Sequence, residues 1–299
     1  MSVTFSVGDM TVHRIVELDA PFLPALAMLP ALTPERLDEN RSWLRPHSLD
    51  ADDVFRLCYQ SYVVRTPHHT ILVDSCLGND KQRPRPEWHM KSDDTYMRAL
   101  GAAGLTVGDI DFVMCTHLHL DHVGWNTRLV DGEWVPTFPN ARYVFSRREH
   151  AATEAANART ADAAYEDSVL PIVRAGRADL VDDDFQLGDH VRILSTPGHT
   201  EGHVSLCFGS RRDEVVITGD LIHVPLQTRY PGLSFAFDKD PALAAITRAA
   251  FLERYCDTPR RCAARPTSRR RRLEGSGVGA TDIGSKTGSR RECELRKFS

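Results

Sequence analysis

The sequence lacks several features that would identify its chemistry directly. It contains no G-x-S-x-G motif and no Walker phosphate loop, so serine hydrolysis and phosphate-loop chemistry have no support. No run of about 18 apolar residues occurs, and we therefore expect no membrane span. The seven cysteines include no C-x-x-C pair, which disfavours both a disulfide framework and a cysteine-rich zinc site.

The first residues, MSVTFSVGDM, lack a basic segment followed by an apolar run, so no signal peptide is expected. Because the cysteines are scattered as well, a reducing cytoplasm is the expected location. The chain has 299 residues, of which 41% are hydrophobic. That is enough to bury a sizeable core, in one large α/β domain or two smaller ones.

Histidine is absent after His223, and the composition changes sharply some thirty residues later. Residues 257–299 carry a net charge of +7, whereas residues 1–256 carry −11. The negative charge of the larger part disfavours nucleic acid as a partner. Residues 257–299 contain no Trp or Tyr and have little apolar material to bury. We expect a domain over residues 1–256 and a basic, disordered tail over residues 257–299.

Several short apolar segments end at polar residues. They read VFRLCYQSYVVRT, TILVDS, DIDFVMCTH, HVRILSTPGHT, HVSLCFG and EVVITGD, and each is predicted to be a strand. Residues 93–103 and the segment DPALAAITRAAFLERY are predicted to be helices, the latter beginning after Asp-Pro. Groups of strands separated by helices indicate an α/β fold.

The stretch THLHLDH, residues 116–122, concentrates metal-ligand side chains. His117 and His119 are two positions apart and point to the same side of an extended chain, and Asp121 and His122 follow. Such a set can serve two metal ions, with zinc favoured and iron or manganese as alternatives. A solvated turn or core histidines would explain a single histidine, but not four ligand-type residues in six.

Two further strands end at ligand-type residues. His199 follows the Pro-Gly turn after VRILS, and Asp220 follows VVIT. Open α/β sheets build their sites at such strand ends. His203 is interpreted as a residue that supports a ligand or begins a helix. Asp74, at the end of TILV, either accepts a hydrogen bond from a ligand histidine or simply terminates the strand.

The order THLHLDH, PGHT and TGD resembles that of the metallo-β-lactamase fold superfamily, over roughly residues 10–256. The resemblance implies an αββα sandwich, in which two mixed β-sheets pack face to face with helices outside. The stretches THLHLDHVGWN and GDLIHVPLQ are similar to the branch that contains lactonases and methyl parathion hydrolase.

The resemblance also implies a ligand set for two zinc ions. It implies that His117, His119 and His199 hold one ion and that Asp121 and His122 hold the second. It also implies that Asp220 bridges both ions. In the superfamily a histidine after the final strand completes the second site.

That last histidine is missing from this sequence. The codons of RPTSRRRR permit HFPSPS in a shifted frame, with the histidine codon straddling Pro266 and Thr267, and this branch typically carries such a segment there. We therefore interpret residues 257–299 as a frameshift product, with a natural basic tail as the alternative. The second metal site would then be one ligand short. His223 is either a substitute ligand or part of the substrate pocket.

The expected reaction is hydrolysis of a small neutral ester, lactone or phosphotriester by a metal-bound hydroxide, with Asp121 as the catalytic residue that orients it. The segments PFLPALAMLP and VPLQTRYPGLSFAF, together with Trp125, could wall an apolar pocket, or form a homodimer contact or ordinary packing. The alternatives are a degenerate metal-binding homologue with little activity and a flavodiiron-type reductase, for whose flavin domain the chain has no length to spare.

Overall fold

A computed structural model describes residues 3–209 and 214–255, together with the backbone of residues 261–263. Its main feature is a pair of β-sheets with helices on their outer faces. The first sheet has seven strands in the spatial order β1-β2-β3-β4-β5-β8-β9. Its strands are β1 (Val3–Val7), β2 (Met10–Pro24), β3 (Val54–Arg65), β4 (Thr70–Val73), β5 (Phe112–Met114), β8 (Arg142–Ser146) and β9 (Ala178–Val181).

The second sheet has five strands in sequential order: β10 (Gln186–Leu187), β11 (Val191–Ser195), β12 (Val204–Gly209), β13 (Glu214–Ile217) and β14 (Arg261–Ala263). A separate hairpin joins β6 (Thr127–Val130) to β7 (Glu133–Pro136). Both large sheets are mixed. Strands β1 to β4 pair antiparallel, and β4, β5, β8 and β9 pair parallel. In the second sheet, only the β13–β14 pair is parallel.

The facing surfaces of the sheets form one apolar core. Val64 and Ile71 from the first sheet belong to the same buried cluster as Leu206 and Ile217 from the second. The opposite face of each sheet is covered by helices, as Tyr96 of α3 and Phe251 of α7 illustrate. The predicted αββα sandwich is therefore confirmed.

Seven α-helices complete the described structure: α1 (Ala25–Met28), α2 (Pro34–Leu44), α3 (Thr95–Ala102), α4 (Arg147–Arg159), α5 (Leu170–Arg174), α6 (Leu226–Arg229) and α7 (Pro241–Tyr255). Within the described ranges, no helix has the length and apolar character needed to cross a membrane. A third buried cluster joins α1 and α2 to the chain around Leu226 and Phe235. This cluster places the N-terminal segment beside the strand ends that carry the predicted ligands.

Strand β14 lies inside the segment predicted to be a disordered tail. It pairs parallel with β13, with Ala263 opposite Ile217. These three residues are in a strand, which pairs through backbone groups and does not require apolar side chains. The rest of the predicted tail lies outside the described residues, so the boundary at residue 256 and the frameshift interpretation stay predictions.

Candidate functional site

The side chains predicted to bind metal lie together at the carboxyl ends of strands from both sheets. The His117–His122 loop follows β5, His199 follows β11 and Asp220 follows β13. Within the described residues, close ligand-type atoms form three groups, namely His117–His119–His199, His117–His122–Asp220 and His199–His223–Asp238. The structure thus brings together residues that are up to about a hundred positions apart, as their placement at strand ends predicted.

The first group consists of three imidazoles around one point. Nδ1 of His119 lies 3.0 Å from Nε2 of His117 and 3.0 Å from Nε2 of His199. His117 is fully buried, and His199 is nearly so. Burial lowers the pKa of His117 and His199 well below the usual value, and the neighbouring imidazoles lower it further. These rings are therefore neutral near pH 7, which is the form that binds metal.

Hydrogen bonds at the opposite nitrogens determine which atoms are free to act as ligands. The Thr116 hydroxyl donates to the Asp74 carboxylate at 2.9 Å, so its oxygen accepts from Nδ1 of His117 at 3.1 Å. Nδ1 of His199 donates to Oδ1 of Asp238 at 2.9 Å. A neutral imidazole has one donor and one acceptor nitrogen. Nε2 of His117 and Nε2 of His199 are therefore both acceptors.

Two acceptors directed at one histidine nitrogen make the first group suitable for a cation. A single proton on Nδ1 of His119 cannot satisfy the lone pairs of both His117 and His199 equally. Three imidazole nitrogens are a common protein contribution to catalytic zinc, in which each Zn–N distance is about 2.0–2.1 Å. The ring-nitrogen separations of 3.0 Å are close to those that such a tetrahedral site needs. The residues present therefore fit a zinc ion.

The second group is built around Asp220. Nδ1 of His122 donates to Oδ2 of Asp74 at 2.8 Å, so its Nε2 is an acceptor, and that atom lies 3.3 Å from Oδ1 of Asp220. A lone pair facing a carboxylate oxygen is repulsive unless a cation lies between them. Oδ2 of Asp121 lies 3.9 Å from Nε2 of His122. The donor set again fits a divalent metal ion.

His203 holds Asp220 in place. Its Nε2 accepts a hydrogen bond from the backbone N–H of Asp220 at 3.1 Å, and its Nδ1 donates to the carbonyl of Thr196 at 3.1 Å. Burial lowers the pKa of His203 to about 3, so the ring is neutral near pH 7. Both nitrogens are occupied, so His203 positions Asp220, and its role in supporting a metal ligand stays a prediction.

Gly219 allows the Asp220 turn to approach the β5 loop closely. Its φ is +54°, in the left-handed region that favours glycine. A Cβ atom there would lie 2.6 Å from Oγ1 of Thr116 and 2.8 Å from Nε2 of His203. The glycine of TGD is therefore required by the packing of the site.

His223 lies on the first-group side of Asp220. Its Nε2 is 3.3 Å from Oδ2 of Asp220, the oxygen that also lies 3.5 Å from Nε2 of His199, whereas His122 faces Oδ1. The fully buried ring makes no side-chain hydrogen bond among the described residues. It stacks on Phe235 with the ring centroids 3.9 Å apart. This position favours a pocket residue over a substitute ligand beside His122.

An aromatic cluster extends from His223 to the surface. Phe235 contacts Phe22 and Phe237, with centroid distances of 6.2 and 5.3 Å, and Phe22 stacks on Trp88. Phe237 is 59% exposed, so this apolar wall reaches solvent. The two segments predicted to wall an apolar pocket do meet there.

Trp125 does not belong to that wall. The indole is buried in the core between the first sheet and α3, where it stacks on Tyr96. Its Nε1–H donates to Oε1 of Glu17 at 2.8 Å. The prediction that Trp125 lines the pocket is therefore wrong, because a buried carboxylate fixes the indole elsewhere.

Sequence reasoning also missed Asp238. Its Oδ1 accepts from Nδ1 of His199, and its Oδ2 accepts from the backbone N–H of Phe235 at 2.8 Å. Arg248, which is fully buried, has Nη2 3.5 Å from the same Oδ2 and donates to the carbonyl of Leu221 at 2.7 Å. One carboxylate thus connects a predicted metal ligand to the apolar wall. The segment GLSFAFD, which ends at Asp238, contains no motif that predicts this role.

Comparison with known proteins agrees with this geometry. Residues 59–255 match the family model described as the metallo-beta-lactamase superfamily. An N-acyl homoserine lactonase from Bacillus sp is 26% identical over 160 residues, which cover 53% of this chain and 57% of that protein. The chain therefore spans less than two thirds of the curated relatives that it matches.

Solved structures show the same fold at low sequence identity. The hydrolase AbOPH of the beta lactamase superfamily has a TM-score of 0.71 and 22% identity, with 89% of both chains covered. AidC, a dizinc quorum-quenching lactonase, has a TM-score of 0.70 and 20% identity, with 89% of this chain and 90% of that chain covered. The family model spans well over half of the sequence, and the chain belongs to the metallo-beta-lactamase superfamily.

Proposed function

We propose that this protein is a zinc-dependent hydrolase that cleaves a small neutral lactone or ester. The observation that carries the proposal is the convergence of His117, His119 and His199. Nδ1 of His119 lies 3.0 Å from Nε2 of His117 and 3.0 Å from Nε2 of His199. These three residues would hold one ion. Asp121 and His122 would hold a second, with Asp220 shared between the two. Bound zinc lowers the pKa of water and polarises a carbonyl or phosphoryl oxygen.

Asp121 is the proposed catalytic carboxylate. It lies at the mouth of the site, where its side chain is 15% exposed and its Oδ2 is 3.9 Å from Nε2 of His122. In that position it can accept a proton from attacking water and return it to the leaving group. His203 and Asp74 are proposed to keep Asp220 and His122 in their ligand orientations.

The substrate is proposed to place an apolar group against the wall formed by Phe22, Phe235 and Phe237. His223, which stacks on Phe235 and faces Asp220, lies where the polar site meets this wall. The Arg85 guanidinium lies 4.8 Å from the Phe22 ring centroid, but it is paired with Glu87 at 2.7 Å. The wall therefore offers aromatic rings and a neutralised cation, which suits a neutral substrate. The lactonase relatives favour a lactone over a phosphotriester.

The proposed location is the cytoplasm. Cys58, Cys76, Cys115 and Cys207 are buried cysteines in thiol form, which suits a reducing compartment. A homodimer is also proposed for this chain.

The test is a panel of three substrates offered to the zinc-loaded full-length chain: N-hexanoyl homoserine lactone, a phenyl ester and a diethyl phosphotriester. We expect turnover of the lactone or the ester, and loss of that turnover in Asp121→Asn. Activity on none of the three with both metals bound would contradict the proposal. Activity confined to the phosphotriester would assign a different substrate class.

A second candidate function is a metal-binding homologue with little activity. The specific observation in its favour is the absence of any histidine after His223 in the sequence. Metal content distinguishes the candidates, because two zinc ions per chain with turnover favour the hydrolase, and one ion without turnover favours the degenerate form.

A further inference from the structure

The carboxylate of Glu149 connects the two loops that carry the first group of histidines. Its Oε1 accepts the backbone N–H of Leu118 at 3.1 Å, and its Oε2 accepts the backbone N–H of Gly202 at 3.0 Å. Leu118 lies between His117 and His119. Gly202 lies three residues after His199. One side chain on α4 therefore fixes the relative position of both loops.

The close approach of α4 to the second loop requires a glycine. A Cβ atom at Gly202 would lie 2.2 Å from the backbone nitrogen of Glu149. The carboxylate can therefore reach the loop backbone directly, without an intervening side chain. Both hydrogen bonds run to main-chain groups, so they restrain the loop positions and do not depend on loop rotamers.

The carboxylate of Glu149 is a buried charge. It is only 3% exposed, and the hydrogen bonds described for its carboxylate come from backbone N–H groups. It is the third residue of α4, where the N-terminus of the helix partly compensates a negative charge. An isolated buried carboxylate is otherwise costly. A bound divalent cation beside the neutral imidazoles would complete the compensation.

We propose that Glu149 is a positioning residue that sets the affinity of the His117–His119–His199 group for a divalent cation, through its hydrogen bonds to both ligand loops and its buried negative charge. It touches neither the ion nor a substrate. This inference rests on the metal site of the proposed function, but it does not depend on which substrate is cleaved or on whether any is.

The test measures cobalt and zinc binding to the full-length chain by competition with a chromophoric chelator. Glu149→Gln keeps the shape of the side chain, removes its charge and turns an amide N–H toward a backbone donor. We expect affinity for the first ion to fall at least about tenfold, the range typical of lost outer partners of metal ligands. The visible cobalt spectrum should change as well, because the ligand loops move.

Glu154→Gln is the matched control, since Glu154 lies on the exposed face of the same helix. It should bind metal like the unaltered chain. A dissociation constant for Glu149→Gln within twofold of the unaltered chain would overturn the proposal, even if the melting temperature of the metal-free variant fell. If Glu149→Gln does not fold, metal binding is measured with Glu149→Asp instead. Its shorter side chain should weaken metal binding, and unchanged affinity would equally overturn the proposal.

These measurements separate the inference from the proposed function. An unaltered chain that binds metal tightly but hydrolyses nothing would refute the hydrolase and leave the role of Glu149 intact. Hydrolysis by a Glu149→Gln variant whose metal affinity is unchanged would refute the role of Glu149 and leave the hydrolase intact.

Discussion

Oδ2 of Asp74 accepts a hydrogen bond from Nδ1 of His122 at 2.8 Å, and the same carboxylate binds the backbone and hydroxyl of Thr116. Asp74 therefore orients His122 directly and His117 through Thr116. Its φ of +56° places it in the left-handed region, where a residue other than glycine is uncommon. The strained backbone directs the carboxylate toward His122 and Thr116, and the role of Asp74 in supporting a ligand stays a prediction.

Asp74→Asn should weaken metal binding at the His122–Asp220 group by about 10–100-fold. Asparagine tolerates the left-handed backbone, so the fold should persist, but a neutral amide cannot accept from Thr116 and His122 as strongly as a carboxylate. Chelator competition at the second equivalent of zinc measures the effect. Asp179→Asn, at the far edge strand β9, is the control. Equal affinity in both variants would show that Asp74 only terminates its strand.

His117→Ala and His119→Ala should each remove most of the first bound metal ion and the hydrolase activity. Each change deletes one of three converging nitrogens, and two imidazoles plus water bind zinc far more weakly. Metal content after dialysis, measured by atomic emission, and substrate turnover are the readouts. His68→Ala, on the turn between β3 and β4, is the control. Full metal content in either site variant would end the interpretation of these residues as ligands.

The positions of the candidate ligands were predictable because each follows the end of an apolar strand. The His117–His122 loop follows β5, and Asp220 stands where β13 stops. Asp238 and Glu149 were not predictable in the same way. Each acts on a loop that is distant in sequence, and neither lies in a motif that distinguishes it from a surface acid. Only the tertiary packing of α4 and of the Phe235 segment gives them their partners.

The wrong prediction for Trp125 has a similar physical cause. A tryptophan beside a metal motif suits a pocket wall as well as a core, and local sequence does not separate these. The decisive contact is the buried carboxylate of Glu17, 108 positions away along the chain, which accepts the indole N–H. The same carboxylate also accepts from Lys91 at 2.8 Å, so the indole joins a buried ion pair.

Acid should destabilise the metal-free protein, and His203 should account for a measurable part of the loss. Burial lowers its pKa from the usual value of 6.5 to about 3. Between those values the unfolded chain binds more protons than the folded chain, so the stabilisation present above pH 6.5 is lost as the pH falls. At 1.36 kcal/mol per pKa unit, the share of His203 between pH 7 and 4.5 is about 2–3 kcal/mol.

His203→Asn tests this share, because its amide can accept from the N–H of Asp220 without titrating. Urea unfolding of chelator-treated protein at pH 7 and 4.5 should show a smaller loss of unfolding free energy in the variant than in the unaltered chain. All other titratable groups are the same in both proteins, so the difference isolates His203. Parallel losses in the two proteins would mean that this ring does not charge on unfolding.

The last prediction concerns the number of metal ions. The unaltered chain should bind one zinc ion tightly at the His117–His119–His199 group and the second weakly, because no histidine follows His223 in the sequence to close the group of Asp121, His122 and Asp220. His223 should not compensate, since its Nε2 faces Oδ2 of Asp220 and not the Oδ1 that lies beside His122.

A variant chain translated in the alternative reading frame after Asp257 should bind a second zinc ion at least about tenfold more tightly. Loss of even an outer partner of a metal ligand typically costs about 10–100-fold in affinity, and here a ligand itself is gained. Turnover should rise with the second equivalent of metal. A His223→Gln variant of the original chain should keep the weak second binding unchanged, which separates the two explanations. If the original chain and the chain in the alternative frame bind two ions equally, and His223→Gln loses one, then His223 already closes the site and the sequence after Asp257 has no consequence for the metal centre.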